Sequence, residues 1–322
     1  MVQTAGTAEP TPGTIGLALA HRDDFKKHRS LWSNAWRQFR RHHLAVGGLI
    51  TLIILILLTY VGTPLYGTSK DYIDFSLVST PPSRDHLLGT DSLGRDMLAR
   101  MLWGGRISLA VGVMAATVAI MIGTLTGAAA GFFGGFVDSL LMRITDLFIS
   151  LPVVPLLLLV SFLFRDSFQN YFDVHFNNGE LGIFLLIIGV ISILSWMTTA
   201  RLVRASFLSI KEKEYIEAAR SVGVSKTAIV FKHILPNSLS PIIVAGTLSV
   251  GAAIITESTL SFLGLGFPSD IPTWGAMLFE GRQRLQLSPH EALIPGAAIF
   301  ITVLSINYIG DGLRDALDPR KA

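Results

Sequence analysis

The chain has 322 residues, 50% of them hydrophobic and 15% charged, with a mean hydropathy of +0.54. That balance excludes an ordinary soluble domain. Cysteine is absent, which removes disulfides, thiolate metal sites and cysteine nucleophiles, and a net charge of +3 is informative only through where the cations lie.

Residues 1–30 open with a Thr-, Ala-, Gly- and Pro-rich run that cannot bury a core, and are expected to form a disordered cytoplasmic tail. Over 31–43, Leu31, Trp32, Ala35, Trp36 and Phe39 recur at helical spacing beside Arg37, Arg40 and Arg41. This pattern suits either a helix lying on an anionic membrane surface or the first turns of the next helix. The apolar run begins only near Leu44, too far in for a cleavable signal.

Six segments are long enough to cross about 30 Å of hydrocarbon. They are Leu44–Val61, Ile107–Ala130, Leu140–Phe164, Leu181–Ala200, Pro241–Leu263 and Ala292–Ile309. The third carries Arg143 and Asp146 near its start and Pro152 and Pro155 inside, so it is expected to be bent or broken. Between the first two, residues 62–106 form an outer segment. Asp91 or Ser92 is placed there to cap an amphipathic helix with Met97, Leu98, Met101 and Leu102 on its apolar face, a candidate contact for an external partner.

Ala115, Ala119, Gly123, Gly127 and Gly131 make an unbroken i+4 ridge on the second span, which permits close helix packing. Ala245, Ser249, Ala253, Glu257 and Ser261 make a similar ridge on the fifth. A carboxylate there should face protein or water, because lipid exposure at the midplane costs about 3 kcal/mol. Two readings of Glu257 and Ser261 stand open: lining or gating a polar path, or hydrogen bonding for helix packing.

A polar island over 212–236 separates the fourth and fifth spans. Tyr215, Ala218, Ala219 and Val222 share one helical face, and Gly223 follows where a left-handed helix terminator sits. Ser225 can cap a second short helix, which Pro236 is expected to stop. Such a unit is suited to docking in a groove of another protein; the alternative is a solvated helix with Glu217 paired to Arg220. With the N-terminus inside, 18 of the 26 Lys and Arg residues fall on inner segments and 8 on outer ones. That bias puts both termini and the island in the cytoplasm.

Glu217-Ala218-Ala219, Gly223 and Leu235-Pro236 resemble the EAA loop of ABC-importer permeases, departing from its pattern at His233. The strings LLGTDSLGRDMLARMLWGGRISL, ESTLSFLGLG, PTWGAML and NYIGDGLRDALDPR extend the likeness from Leu31 to the C-terminus. Together they resemble the C-type permease of oligopeptide, dipeptide and nickel importers. The resemblance implies an all-α type I importer permease in a prokaryotic cell membrane, with core residues 107–310 and a cytoplasmic end at 311–322. It implies a homologous second permease, two cytoplasmic ATPases holding ATP and Mg, and an extracytoplasmic solute-binding protein, with no nucleic-acid partner. Glu217, Ala218, Ala219, Gly223, Leu235 and Pro236 would be the ATPase-coupling positions.

The chain itself has no phosphate-binding loop: Gly223-Val224-Ser225-Lys226-Thr227 lacks the glycine before the lysine. No nucleophile–base constellation or metal cluster stands out, so neither catalytic nor metal-binding residues nor a cofactor is expected in this chain. Peptides are the substrate the resemblance implies, with nickel or another small solute as the alternative. An ion-coupled secondary transporter is the rival from another class, and it would need midplane charges and an internal repeat.

Overall fold

The structure is a computed structural model that describes residues 31–268 and 270–318. The tail expected over 1–30 therefore lies outside the described residues. Eleven helices carry the fold among the described residues, and no strand is present there. They are α1 (Leu31–Arg41), α2 (His43–Tyr66), α3 (Met97–Phe133), α4 (Gly135–Ser150), α5 (Val153–Phe176), α6 (Gly179–Ile193), α7 (Met197–Lys211), α8 (Glu214–Ser221), α9 (Lys226–Phe262), α10 (Trp274–Gly281) and α11 (His290–Leu317). Helices α2, α3, α5, α9 and α11 are each long and apolar enough to span a bilayer. The pair α6 and α7, bent by 46° at its junction, makes a sixth span if it is counted as one.

Helix α3 is the axis of the bundle. Its 37 residues reach roughly 55 Å at 1.5 Å per residue, well beyond the hydrocarbon. Buried residues run along it from Met97 to Gly131, and it packs on α2, α4, α6, α7, α9 and α10. Helices α2 and α5 are peripheral, with most of their side chains turned outward to where lipid would be.

Several expected boundaries shift for identifiable reasons. The third span does not run over Leu140–Phe164. Leu151 precedes Pro152 and is held extended (φ −76°, ψ 140°), so the chain breaks into α4 and α5, and α5 becomes the span. Two positive-φ glycines, Gly134 (67°) and Gly135 (54°), turn α3 into α4. The fourth span, expected over Leu181–Ala200, breaks at 194–196, and α7 continues to Lys211. Ser192 there donates to the Ile188 carbonyl at 2.6 Å, a local bond that bends helices.

Pro236 does not stop a helix. A π-helical stretch, Ile229–Ile234, joins the turn capped by Ser225 to the long α9, with the Leu235 amide donating to Val230 five residues back. The wider turn makes room for the Pro236 ring, which would clash with the preceding turn of a regular helix. At the outer end, the N-cap of α3 is Asp96, not Asp91 or Ser92: its carboxylate accepts from Ala99 N at 2.8 Å. The face with Met97, Met101 and Leu102 is buried, so it is core and not a surface for an external partner.

Asp91 and Arg95 are themselves interior. Arg95 Nε donates to Asp91 Oδ2 at 2.7 Å, and its Nη2 reaches Glu280 Oε2 at 3.0 Å. Arg100, with no solvent exposure, lies 3.1 Å from the same Glu280 oxygen and 3.5 Å from Asp91 Oδ2. This network ties the outer segment to α3 and α10. Burial pushes the Glu280 carboxyl above the usual range, with Arg100 and Arg95 pulling it back.

Removing one partner of a buried pair strands the other. Arg100→Leu should therefore cost about 3–5 kcal/mol, while Arg201→Gln, which loses an exposed pair with Asp146, should cost about 0–1 kcal/mol. Thermal unfolding in detergent would rank them. Because Glu280 titrates above its unfolded value, its contribution is fully present below the ordinary carboxylate pKa and is lost as pH rises through the raised one. Glu280→Gln should flatten that fall in a stability–pH profile, and an unchanged profile would refute the assignment.

Candidate functional site

The polar island folds as a rigid hook. Ile216 of α8 is completely buried with Val203, Phe207 and Ile210 of α7 and with Ile229 and Ile234 of α9. The helix ends in a paired-bond turn: Val224 N donates to Ala219 O at 3.1 Å and Gly223 N to Arg220 O at 3.0 Å. Gly223 sits at φ 82°, and a Cβ there would meet nothing within 4 Å. The demand for glycine is therefore one of backbone conformation, not of space.

The face that carries Tyr215, Ala218 and Val222 is open: Tyr215 is 45% and Val222 80% exposed, and Glu217 and Ala218 are exposed beside them. The core-facing stripe is instead Ile216 with half-buried Ala219. No ion pair joins Glu217 to Arg220 among the described residues, so the Glu217 carboxylate is offered outward. Leu235 is half-buried and Pro236 exposed at the root of α9. Asn237 Nδ2 braces this corner, donating to His233 O at 2.6 Å and reaching the Tyr215 hydroxyl at 3.4 Å.

From this hook α7 leads back to the small-residue ridge. A Cβ on Gly123 would lie 2.7 Å from the Trp196 carbonyl, one on Gly127 2.8 Å from Val203 Cβ, and one on Gly131 2.7 Å from Phe207 Cβ. Ala119 packs with Trp196, Met197 and Ala200, and Ala115 lies buried at the α6 end of the seam. Helix α4 clamps the same rod: Arg204 makes a two-pronged ion pair with Asp138, and Arg201 donates to Asp146 at 2.5 Å. The Arg204 guanidinium beside Asp138 holds that carboxyl below its usual range.

Above the seam a groove of about 460 Å³ opens between α3, α7 and α9. Ala115 and Ala119 form one wall, Thr198 and Thr199 another, and Ala245 and Ser249 the third. Small side chains and hydroxyls give it an apolar floor with scattered hydrogen-bonding groups.

Glu257 and Ser261 do not line this groove in the present conformation. Glu257 has no exposure and accepts from Ser261 Oγ at 2.8 Å and Ser108 Oγ at 3.3 Å. Ser108 Oγ in turn accepts from Trp274 N at 3.2 Å, while Trp274 Nε1 donates to the Met101 carbonyl at 3.1 Å. The carboxylate thus anchors the start of α10 to α3 and α9. Ser108, Arg100 and Glu280 escape the sequence reading because their partners lie 149 to 185 residues away. The one available signal was Arg100 itself, a cation on the face shared by Met97 and Met101.

Among the described residues, no group of three or more His, Cys, Asp or Glu could hold a metal ion. Comparison with known proteins places this geometry in context. Residues 119–322 match the binding-protein-dependent transport system inner membrane component, and residues 30–82 match the N-terminal TM domain of oligopeptide transport permease C. The glutathione transport system permease protein GsiD of Pectobacterium atrosepticum is 40% identical over 92% of this chain and 93% of its own. The oligopeptide transport system permease protein OppC of Bacillus subtilis is 39% identical over 92% of each chain. The dipeptide transport system permease protein DppC of Alkalihalophilus pseudofirmus is 39% identical over 90% of each. This multi-span bundle with an exposed hook and a small-residue groove, matched along nine-tenths of its length by such permeases, belongs to the family of binding-protein-dependent inner-membrane transport permeases.

Proposed function

We propose that this chain forms one half of the translocation path of an ATP-driven peptide importer in a prokaryotic cell membrane. A homologous permease supplies the other half, two cytoplasmic ATPases bind ATP and Mg, and an extracytoplasmic protein delivers substrate. Both termini and α8 are cytoplasmic in this reading, which the cation bias favours. The peptide assignment rests on the glutathione, oligopeptide and dipeptide systems to which its relatives belong.

The observation that carries the reading is the open face of α8 on a hook whose other face is welded to α7 and α9. An ATPase that closes on nucleotide moves its docking groove, and the hook moves with it. The force enters α7 and α9, two of the three helices that line the groove. The bundle then alternates between inward- and outward-facing arrangements, and hydrolysis resets it.

Glu217 is the polar anchor in this docking, and Tyr215, Ala218 and Val222 are the apolar contact. Glu257 acts as a hinge pin that keeps α10 seated on the outer ends of α3 and α9 while the groove opens.

Glu217→Arg and Gly223→Asp should each release the ATPase from a mild-detergent pull-down and abolish uptake in reconstituted vesicles. Retention of a full ATPase complement by both variants would overturn the coupling assignment. Gly127→Val should destabilise the chain by about 1–3 kcal/mol through overpacking against Val203. Gly47→Ala, where a Cβ meets nothing within 4 Å, should be silent in the same unfolding assay. Glu257→Gln keeps hydrogen bonds to the serines and should leave uptake near wild type, whereas Glu257→Leu should impair assembly; uptake lost in Glu257→Gln would restore a charge-dependent role on the path.

A further inference from the structure

Two recesses that combine cations with aromatic rings lie away from the hook and the groove. In one, at the outer end of α2, Lys70 and Arg106 approach the Trp103 ring at 5.6 and 5.3 Å. Their charges are already engaged. Lys70 pairs with Asp71 at 2.8 Å, and Arg106 donates to the Thr59 and Tyr60 carbonyls. Pro64 has no N–H to offer the Tyr60 carbonyl, so Arg106 completes that helix.

The recess along α1 measures about 540 Å³ and is lined by Ser33, Trp36, Arg37, Arg40 and Arg41, and no carboxylate lines it among the described residues. All five residues are exposed, Trp36 by 57%. The opposite face of α1 is occupied: Ala35 and Phe39 are buried, Phe39 packs with Ala45 and Ile309, and Gln38 Nε2 donates to the Asp315 carbonyl at 3.0 Å. That docking holds the arginine face outward as a fixed surface.

The depth of α1 follows from its junction with α2. The His42 ring accepts from Ala45 N at 3.2 Å, and the lipid-facing run begins at Leu44, which is 57% exposed. Arg40 and Arg41 therefore stand about one helical turn from the first hydrocarbon-level side chain. This is the level of the headgroups, where tryptophan rings also settle.

We infer that α1 is a binding site for anionic phospholipid headgroups, with Arg40 and Arg41 taking the phosphate and Trp36 lying against the glycerol level. Guanidinium forks match phosphate oxygens two at a time, and Arg40 and Arg41 meet no carboxylate within the recess. Zwitterionic lipids lack the net charge that holds such a site. Because α1 is seated on the end of α11, a lipid held there also secures the last span.

The test uses the full chain in its assembled complex, delipidated in mild detergent. Bound lipid is counted by native mass spectrometry during titration with phosphatidylglycerol or phosphatidylcholine. Wild type should retain phosphatidylglycerol in preference, and each neutralised arginine should weaken it roughly fivefold. Arg40→Gln with Arg41→Gln should thus lose most of the preference without a change in thermal unfolding of the delipidated complex, and Arg40→Lys with Arg41→Lys should keep most of it. Should the double glutamine variant fail to assemble, Arg41→Gln alone should still show the fivefold loss. Equal retention of the two lipids, undiminished phosphatidylglycerol in the glutamine variants, or full displacement by inorganic phosphate would overturn the site. So would loss of a protein subunit with lipid retention intact, which would make α1 a protein-docking surface instead.

Discussion

The close contact of α3 with α7 is the constraint on which the rest of the chain depends. In a bilayer, helices gain nothing from hydrophobic burial against one another, because lipid is as apolar as leucine. Association has to come from packing, and three glycines let the backbones meet where any Cβ would collide. Once α7 is fixed to α3, its far end carries Val203, Phe207 and Ile210 to the cluster that seats Ile216. The seam that closes the bundle thus also sets the position of the hook. Lys211 completes the arrangement by donating to the Phe132 carbonyl at 2.6 Å, close to the point where α3 gives way to α4.

The two ends of the bundle are held by different physics. At the end that carries α8 the charges are at the surface: Asp146 and Arg201 are more than half exposed, and such a pair is worth little alone. Cohesion there comes from the apolar cluster around Ile216. At the outer end Asp91, Arg95 and Arg100 are almost fully enclosed, and Glu257 is wholly so. Separating those groups would strand charges in a low-dielectric interior at a cost of several kcal/mol. Residues 62–96, α10 and the adjoining half of α3 are therefore tied together as one unit.

Much of this was legible in the sequence, because the strongest signals are local. Each of the six expected spans overlaps an apolar helix or the bent pair, the third only over its second half, and the i+4 spacing of Ala115 to Gly131 marks the packing face directly. The Gly223 turn could be read because only glycine takes its backbone angles cheaply. Pro152 announced the break in the third span, although not that the apolar helix would run on to Phe176. What escaped were the bend of the fourth span at 194–196 and the long-range pairs. Pro236 was misread because a local rule against proline in helices gave way to a π turn that makes room for it. The Arg100–Glu280 and Ser108–Glu257 contacts join residues 180 and 149 apart, and no periodicity encodes them.

That π turn also decides how the hook can act. A regular helix from Ser225 to Phe262 would be a stiff rod, and any tilt of its foot would be copied at its outer end, where Glu257 is locked. The six residues Ile229–Ile234 have wider, i to i−5 bonding, and Pro236 just beyond removes one more backbone donor. The stiffness of α9 is therefore lowest between the hook and the groove. In the proposed cycle, motion of α8 would bend α9 there, while α7, clamped by the glycine seam and by Asp138, would move with α3. The groove lies between α9 and that clamped pair, so in this reading a displacement at the hook changes its width without breaking the network around Arg100 and Glu257.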